Sequence, residues 1–555
     1  MTCHTRRYVV QDNMKFIFIS GGVISGLGKG ITTASLAFLL KSRGYKVTTV
    51  KIDMYFNVDA GTLRPQEHGE VFVTQDGMEC DEDLGHYERF LNEDLKKENY
   101  ITAGQIYSEV IRKERAFEYG GETVDTIPHV TDEIIRRIKL AGSINKADIV
   151  LVEFGGTVGE YKNGIFFEAS RILKFKQPKD VVQLHVTYLP YMPHIGELKS
   201  KPAQTSVHVL NSLGIQPDIL IARSSIKIDN KRLEKLGLFC NIAPQHIFSN
   251  PDLDSVYKLP LHFHDNKKHL ATACLKLLSL PTKKHHNIKK WQQLVASIDA
   301  KKEKTVTIGM VGKYFNTGDY KLADSYVSVI EALKHAAWKL NLNLEMDWID
   351  CEKYNKKDLL KYDGILVPQG WGKRGVDGKV EAINIARTQN IPYLGLCFGM
   401  QMAVIEFARN VLGFKDANTT EADPKTKHPV IHVMPDQQKY LDAHQYGGTI
   451  RLGAWPCKIK DNSKLHDIYK ASLITTERHR HRYEFNIDYK EQFEKAGMIF
   501  SGTSPDGKLV EAIEIPKNKF FIATQFHPEY ISRPLAPHPI FLAFLAAASA
   551  QKKSL

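Results

Sequence analysis

The chemistry this 555-residue chain could perform begins with one cysteine. Cys397 stands in GLCFGMQ, with Gly395 and Gly399 two positions to either side. The apolar run Ile391 to Leu396 before it reads as a buried strand, and Met400 to Arg409 after it carries apolar residues at helical spacing. The flanking glycines allow the sharp strand-to-helix turn that lifts a nucleophile onto a helix N-terminus, where the dipole and free amides favour a thiolate. A lone cysteine is as readily a small core residue, so the chemistry needs partners. The run Phe520 to Phe526 predicts a strand delivering His527 and Glu529 at its end. His527 could take the thiol proton, and Glu529 could hold the imidazole in one tautomer.

A second set of residues suits phosphate. Phe16 to Ser20 predicts a strand, followed by GGVISGLGKG opening a helix that closes at Gly44. Glycines let backbone amides approach phosphate oxygens, and Lys29 adds a point charge. The loop departs from the strict Walker pattern: five residues rather than four separate Gly22 from Gly28, and Gly30 stands where a metal-binding hydroxyl belongs. A metal must then be held by carboxylates from elsewhere. Asp83, in the acidic loop MECDEDLGHYERF, and Glu153, at the end of the predicted strand Ala147 to Val152, are the expected pair. Lys199 and Lys201 alternate ahead of Pro202, so in an extended segment they share a side suited to a polyphosphate; the alternative is solvated surface lysine.

The elements positioning these groups alternate strand and helix in both halves. That predicts an α/β fold of two domains, each a mainly parallel sheet flanked by helices, with sites at the strands' C-terminal edge. The length favours two to four domains. The expected boundaries are an N-terminal extension at 1–13, a first α/β domain at 14–282, a lysine-rich linker at 283–303 in which Trp291 to Ile298 could form a short helix, and a second α/β domain at 304–555.

Composition narrows the function classes. With 43% hydrophobic and 25% charged residues the chain reads as soluble and globular. The net charge of +12 comes without an aromatic-interleaved basic stripe, so nucleotide triphosphates are expected rather than nucleic acid. Seven scattered cysteines without a C-x-x-C pair argue for a reducing compartment. No apolar run is long enough to span a bilayer, and the expectation is a cytoplasmic protein with no membrane partner.

Two strings of motifs then carry a resemblance. G-x-C-x-G-x-Q with the later Q-F-H-P-E resembles the class I glutamine amidotransferase domain. GGVISGLGKG, KIDMYFNVDAGT, EHGEVFV, DLGHYERF, IPHVTDEI, EFGGTVG, KSKPAQ, GIQPDIL and LFC resemble, in order, the synthetase domain of the CTP synthase family. What the resemblance implies is glutamine hydrolysis through a thioester on Cys397, with ATP-dependent phosphorylation of UTP O4 and displacement of phosphate by channelled ammonia. It implies ATP at Ser25, Gly26, Leu27, Gly28, Lys29, Gly30, Lys51 and Arg223, with Lys29 and Lys51 acting in catalysis and Mg²⁺ on Asp83 and Glu153. It places UTP, or a related acceptor, at Ser25, Lys199, Lys201, Gln204 and Lys235. Glutamine falls to Gly370, Leu396, Gln401, Glu421 and Arg482, a GTP activator to Arg374 and Arg478, and the assembly is a homotetramer.

The chain departs from that family in clusters. An Asp and a Glu after GGTVG are here Glu160 and Lys162, and a Val-Gln-Val segment is Val124-Asp125-Thr126. Met54 and Ala203 replace Pro and Thr, and in PQGWGKRG, where the family's oxyanion loop reads P-G-G-F-G-x-R-G, Gln369 replaces Gly and Trp371 replaces Phe. Lys162 exchanges an acceptor for a cationic donor, so a Lys162 facing the acceptor would suit a substrate more anionic than UTP's ribose portion, with Asp125 and Glu160 the other altered acceptor-side positions; the alternative function is glutamine-dependent, ATP-driven amination of such an acceptor. ERHRHRYEFN concentrates three arginines and two histidines between Glu477 and Tyr483, either a solvated loop or an anion-facing wall.

Overall fold

The computed structural model describes residues 13–265, 269–282, 288–313, 316–317, 320–321, 323–434 and 437–551. Nearly all of the expected N-terminal extension, with Cys3, and the start of the expected linker, 283–287, lie outside the described residues. The chain forms two compact units. One comprises residues up to Asp59 and His86–Val295; the other comprises Ala60–Gly85 and everything from Ala296 onward. The segment Ala60–Gly85, expected in the first domain by sequence position, thus packs with the second.

The first unit is built on a seven-stranded sheet in the order Ile247–Pro251, Ile219–Ser224, Val181–Tyr188, Lys15–Gly21, Ile149–Phe154, Val47–Asp53 and Tyr100–Thr102. Every neighbouring pair is parallel. Helices cover such a sheet on both faces, which is why Phe16 to Gly21 is a continuous buried run rather than an alternating one. The expected linker holds a helix, Ile288–Asp299, whose Trp291 is buried against Phe38, Phe90 and Tyr257 and donates its indole N–H to the Tyr257 carbonyl. Its apolar spacing docks it onto the first unit, so this stretch is no loose tether.

The second unit is built on a nine-stranded sheet: Asn343–Asp350, Thr305–Gly312, Gly364–Val367, Tyr393–Leu396, Phe521–Thr524, Val510–Glu514, Ile499–Thr503, Arg451–Ile459 and Ile474–His481. The first five are parallel and the remainder pair antiparallel. Alternate residues feed two cores, one on each face: Ile365, Val367, Tyr393 and Ala523 on one side, Leu366, Leu394, Leu396 and Ile522 on the other. Within Ala60–Gly85 a short hairpin, Val71–Val73 with Glu79–Asp81, packs on this unit.

Candidate active sites

The nucleophile turn is built by two adjacent parallel strands. Tyr393–Leu396 pairs with Phe521–Thr524 in the register Leu396 to Thr524, and the Cys397 N–H donates to the Thr524 carbonyl at 2.7 Å. Cys397 therefore leaves one strand where His527 leaves the next. It sits at φ 51°, ψ −100°, immediately before the helix Phe398–Asn410. A cysteine held at positive φ stores roughly 1–3 kcal/mol, which the surrounding packing must enforce. Gly399 lets that helix close onto the sheet: a Cβ there would lie 2.1 Å from the Val367 carbonyl oxygen.

His527 donates or accepts through Nδ1 with Glu529 Oε1 at 2.8 Å, both side chains buried. The ring also interacts with the Cys397 side chain, by charge and by hydrogen bond. Burial works to lower the imidazole pKa, but the charges of Glu529 and Cys397 outweigh it and hold the ring up to about 10. A charged imidazolium beside the sulfur is the arrangement of a nucleophile with its base. Gln525 also reaches the sulfur, its Nε2 lying 3.5 Å from Sγ, and its Oε1 accepts from Gln401 Nε2.

The loop PQGWGKRG follows the strand Gly364–Val367. Lys313 Nζ donates to the carbonyls of Trp371, Gly372 (3.1 Å) and Arg374 (3.4 Å), and the Gly372 N–H donates to Glu421 Oε1 at 2.7 Å. These bonds fix the loop's backbone on both its carbonyl and its amide groups. Burial lowers Lys313 to about 8, against the pull of Glu421, and burial with the Lys313 charge lowers Lys379 to about 7. Glu421 is raised by burial. A cavity of about 490 Å³ within this unit brings Glu421 and Arg482 together with Trp371, Arg480, Glu79 and Tyr483.

The RHRHR run is neither a solvated loop nor a uniform wall. It ends the strand Ile474–His481 and continues into Arg482, and its alternation sends arginines and histidines to opposite sides. Arg478 is fully buried with Nη1 on the Val73 carbonyl, Arg480 bonds Glu79, and Arg482 bonds Gln437 and Thr449. Arg478, expected as an effector contact, holds the inserted hairpin through the Val73 carbonyl. Arg374 donates to the Lys313 carbonyl and remains half exposed. His479 and His481 bond each other at 3.0 Å on the other side.

In the first unit, Gly26 and Gly28 both adopt positive φ, 73° and 78°, ahead of the helix Lys29–Ser42, which is why glycine is needed there. Lys29 is buried and donates to the Gly156 carbonyl at 2.7 Å; Ser25 is exposed, while Leu27 and Gly30 are buried. Lys51 Nζ lies 3.4 Å from Glu153 Oε1 and 3.9 Å from Asp53, and the Tyr87 hydroxyl donates to Glu153. Glu153 is thus a buried carboxylate at a parallel sheet's C-terminal edge, a hard oxygen donor of the kind Mg²⁺ takes. Asp83 belongs to the second unit; its N–H donates to Asp81 and its side chain is half-buried.

The remaining expected residues are scattered over the first unit. Arg223 pairs with Asp252 and donates to Asn250 and Pro251. Lys199 is paired with Glu197 at 2.7 Å, Gln204 is buried against Ser200, and Lys201 and Lys235 are exposed. Asp125 is exposed. Glu160 turns back onto its own loop, accepting from the Thr157 N–H and hydroxyl, with Lys162 4.0 Å away and half exposed.

Two family models match this chain: "CTP synthase N-terminus" over residues 15–280 and "Glutamine amidotransferase class-I" over residues 321–547. The CTP synthase of Staphylococcus saprophyticus is 48% identical over 545 residues, 97% of this chain and 99% of that protein. The chain belongs to the CTP synthase family. The CTP synthase of Caldanaerobacter subterraneus is likewise 48% identical, over 96% of this chain and 98% of its own length. Among solved structures, the glutaminase domain of Trypanosoma brucei CTPS with bound acivicin is 41% identical, covering 44% of this chain and 95% of that one with a TM-score of 0.41. As a CTP synthase, the chain is an ATP-dependent carbon–nitrogen ligase that takes its nitrogen from glutamine, joining UTP to ammonia.

Sequence reasoning about this chain missed Lys313, Lys379, Gln525, Tyr530 and Glu70. Gln525 and Tyr530 flank His527 and Glu529 in the same motif and could have been found there. Lys313 follows a buried strand and Lys379 lies inside a helix otherwise rich in core positions, where a lysine is costly without a role. Glu70 lies within the motif EHGEVFV, which could have drawn attention to it. No helix among the described residues is long and apolar enough to cross a membrane.

Proposed function

We propose that glutamine hydrolysis runs on Cys397, His527 and Glu529, and CTP formation on the loop Ser25–Gly30 with Lys29, Lys51, Asp83 and Glu153. Cys397 Sγ attacks the glutamine carboxamide carbon, and His527 carries the thiol proton to the departing ammonia. Water then cleaves the thioester to glutamate. Glutamine's amino group suits the Glu421 carboxylate and its carboxylate suits Arg482, which supports a substrate seat beside Gly370, Leu396 and Gln401.

In the synthetase, ATP transfers its terminal phosphoryl group to O4 of UTP, giving ADP, and ammonia displaces phosphate from C4 to give CTP. Lys29 and Lys51 bring positive charge to the phosphates, with Arg223 as a further nucleotide contact. Lys199, Lys201, Gln204 and Lys235 are the proposed UTP triphosphate contacts; Asp125, Glu160 and Lys162 flank the acceptor. Asp83 and Glu153 would hold Mg²⁺, which when bound offsets charge on the transferring group. A different, more anionic acceptor is not favoured, because relatives named CTP synthase match over nearly the whole chain. GTP as an activator near Arg374 and Arg478, a homotetramer and a cytoplasmic location complete the proposal on the family resemblance.

The observation that carries this reading is the Leu396 to Thr524 register, with the His527–Glu529 bond beside Cys397. The test is CTP formation from UTP and ATP with glutamine or with ammonium chloride as nitrogen source. Product from both sources in the native enzyme, and from ammonium alone once Cys397 is replaced, is the expected result. Failure of both sources in that variant would overturn the division between the two centres.

A further inference from the structure

Glu70 ends the stretch that leads into Val71–Val73, and its buried carboxylate bridges two elements of the second unit. One oxygen accepts from the Ser328 N–H at 2.7 Å, in the first turn of the helix Val327–Lys339, and the other accepts from the Gln369 carboxamide at 2.9 Å. That helix has no side-chain cap of its own, so Glu70 supplies the negative charge its N-terminus favours. Gln369 immediately precedes Gly370 in the oxyanion loop. The next residue, Val71, reaches the other side of the machinery: its carbonyl accepts from the Tyr530 hydroxyl at 3.0 Å, and the Tyr530 ring stacks on His527 with centroids 4.8 Å apart and planes 11° from parallel.

We propose that the Glu70–Gln369 bond is a latch that fixes the oxyanion loop, making Glu70 a positioning residue for glutamine hydrolysis. The loop is gripped after Gly370 by Lys313 and Glu421; the latch grips it before Gly370. The family pattern has glycine at 369, whose backbone is the most costly to hold in one conformation. A glutamine anchored to a buried carboxylate restrains the same peptide through a charge-assisted bond. The carboxamide Nε2 makes that bond, while its Oε1 is buried and has no hydrogen-bond partner among the described residues. Glu70 and Val71 together tie the loop and the ring under the base to one dipeptide of the first half of the sequence.

The inference rests on Cys397 as nucleophile, so Cys397→Ala is run beside the latch variants. Retention of glutamine-supported turnover by that protein would sink the site assignment itself. The latch is tested in the full-length enzyme with Gln369→Leu, Gln369→Gly, Glu70→Ala and the double variant Glu70→Ala/Gln369→Leu, each glutaminase rate being normalised to the ammonium-supported rate of the same protein. Gln369→Gly restores the family residue and guards against a folding failure in Glu70→Ala. The expected result is a fall in kcat of about tenfold or more with KM for glutamine within about twofold, and a double variant no worse than its poorer parent. Variants that turn over at the native rate, a change confined to KM, or losses that multiply in the double variant would overturn the latch.

Discussion

The amide of Cys397 donates to the carbonyl of Thr524 across 2.7 Å, which ties the residue bearing the nucleophile to the strand that delivers its base. Because the two strands are parallel neighbours, both groups emerge at the same sheet edge. Cys397→Ala is expected to lower glutamine-supported CTP formation by more than about a thousandfold. Ammonium-supported formation should stay close to native, and steady-state assays with the two nitrogen sources check it.

The Glu529 carboxylate sets the charge of His527. With Glu529 in place the imidazole is raised from 6.5 to about 10, so the ring binds its proton more tightly folded than unfolded. The stability it contributes is full below about 6.5 and is lost as pH rises through about 10. Glu529→Gln removes the main charge opposing burial. The ring should then be neutral at pH 7 by nitrogen NMR of labelled histidine, the alkaline loss of stability should shrink, and glutaminase kcat should fall about a hundredfold or more.

Glu153 belongs to the other chemistry. Glu153→Gln, or chelation of divalent cations, is expected to depress CTP formation from both nitrogen sources by about a hundredfold or more. Alkylation of Cys397 by a chloroketone analogue of glutamine, in which the sulfur displaces chloride to form a thioether, should persist. Loss of one nitrogen source alone would separate Glu153 from the phosphoryl-transfer step.

Gly399 is a packing requirement. Gly399→Ala places a methyl group 2.1 Å from the Val367 carbonyl, a backbone atom with little room to move. It should cost about 1–3 kcal/mol. Gly164→Ala, at the first position of Gly164–Lys176 with open space around it, should be neutral or stabilising by up to about 1 kcal/mol. Calorimetric melting of the two proteins distinguishes them.

The sequence by itself determined the elements and the chemistry they carry. Apolar runs bounded by glycine marked the strands that hold Glu153, Cys397 and His527, because a strand buried on both faces must be apolar throughout and must end where a polar group is presented. The alternation in ERHRHRY was equally legible, yet its meaning was not. Only the tertiary structure decided that Arg478 is spent on the Val73 carbonyl, that Ala60–Gly85 packs with the second unit, and that Trp291 is buried in what composition marked as a linker. Each of these depends on partners hundreds of residues away or on a surface formed only when the sheet closes. Local pattern reports which face of an element is apolar; which other element covers that face is settled by burial summed over the whole fold.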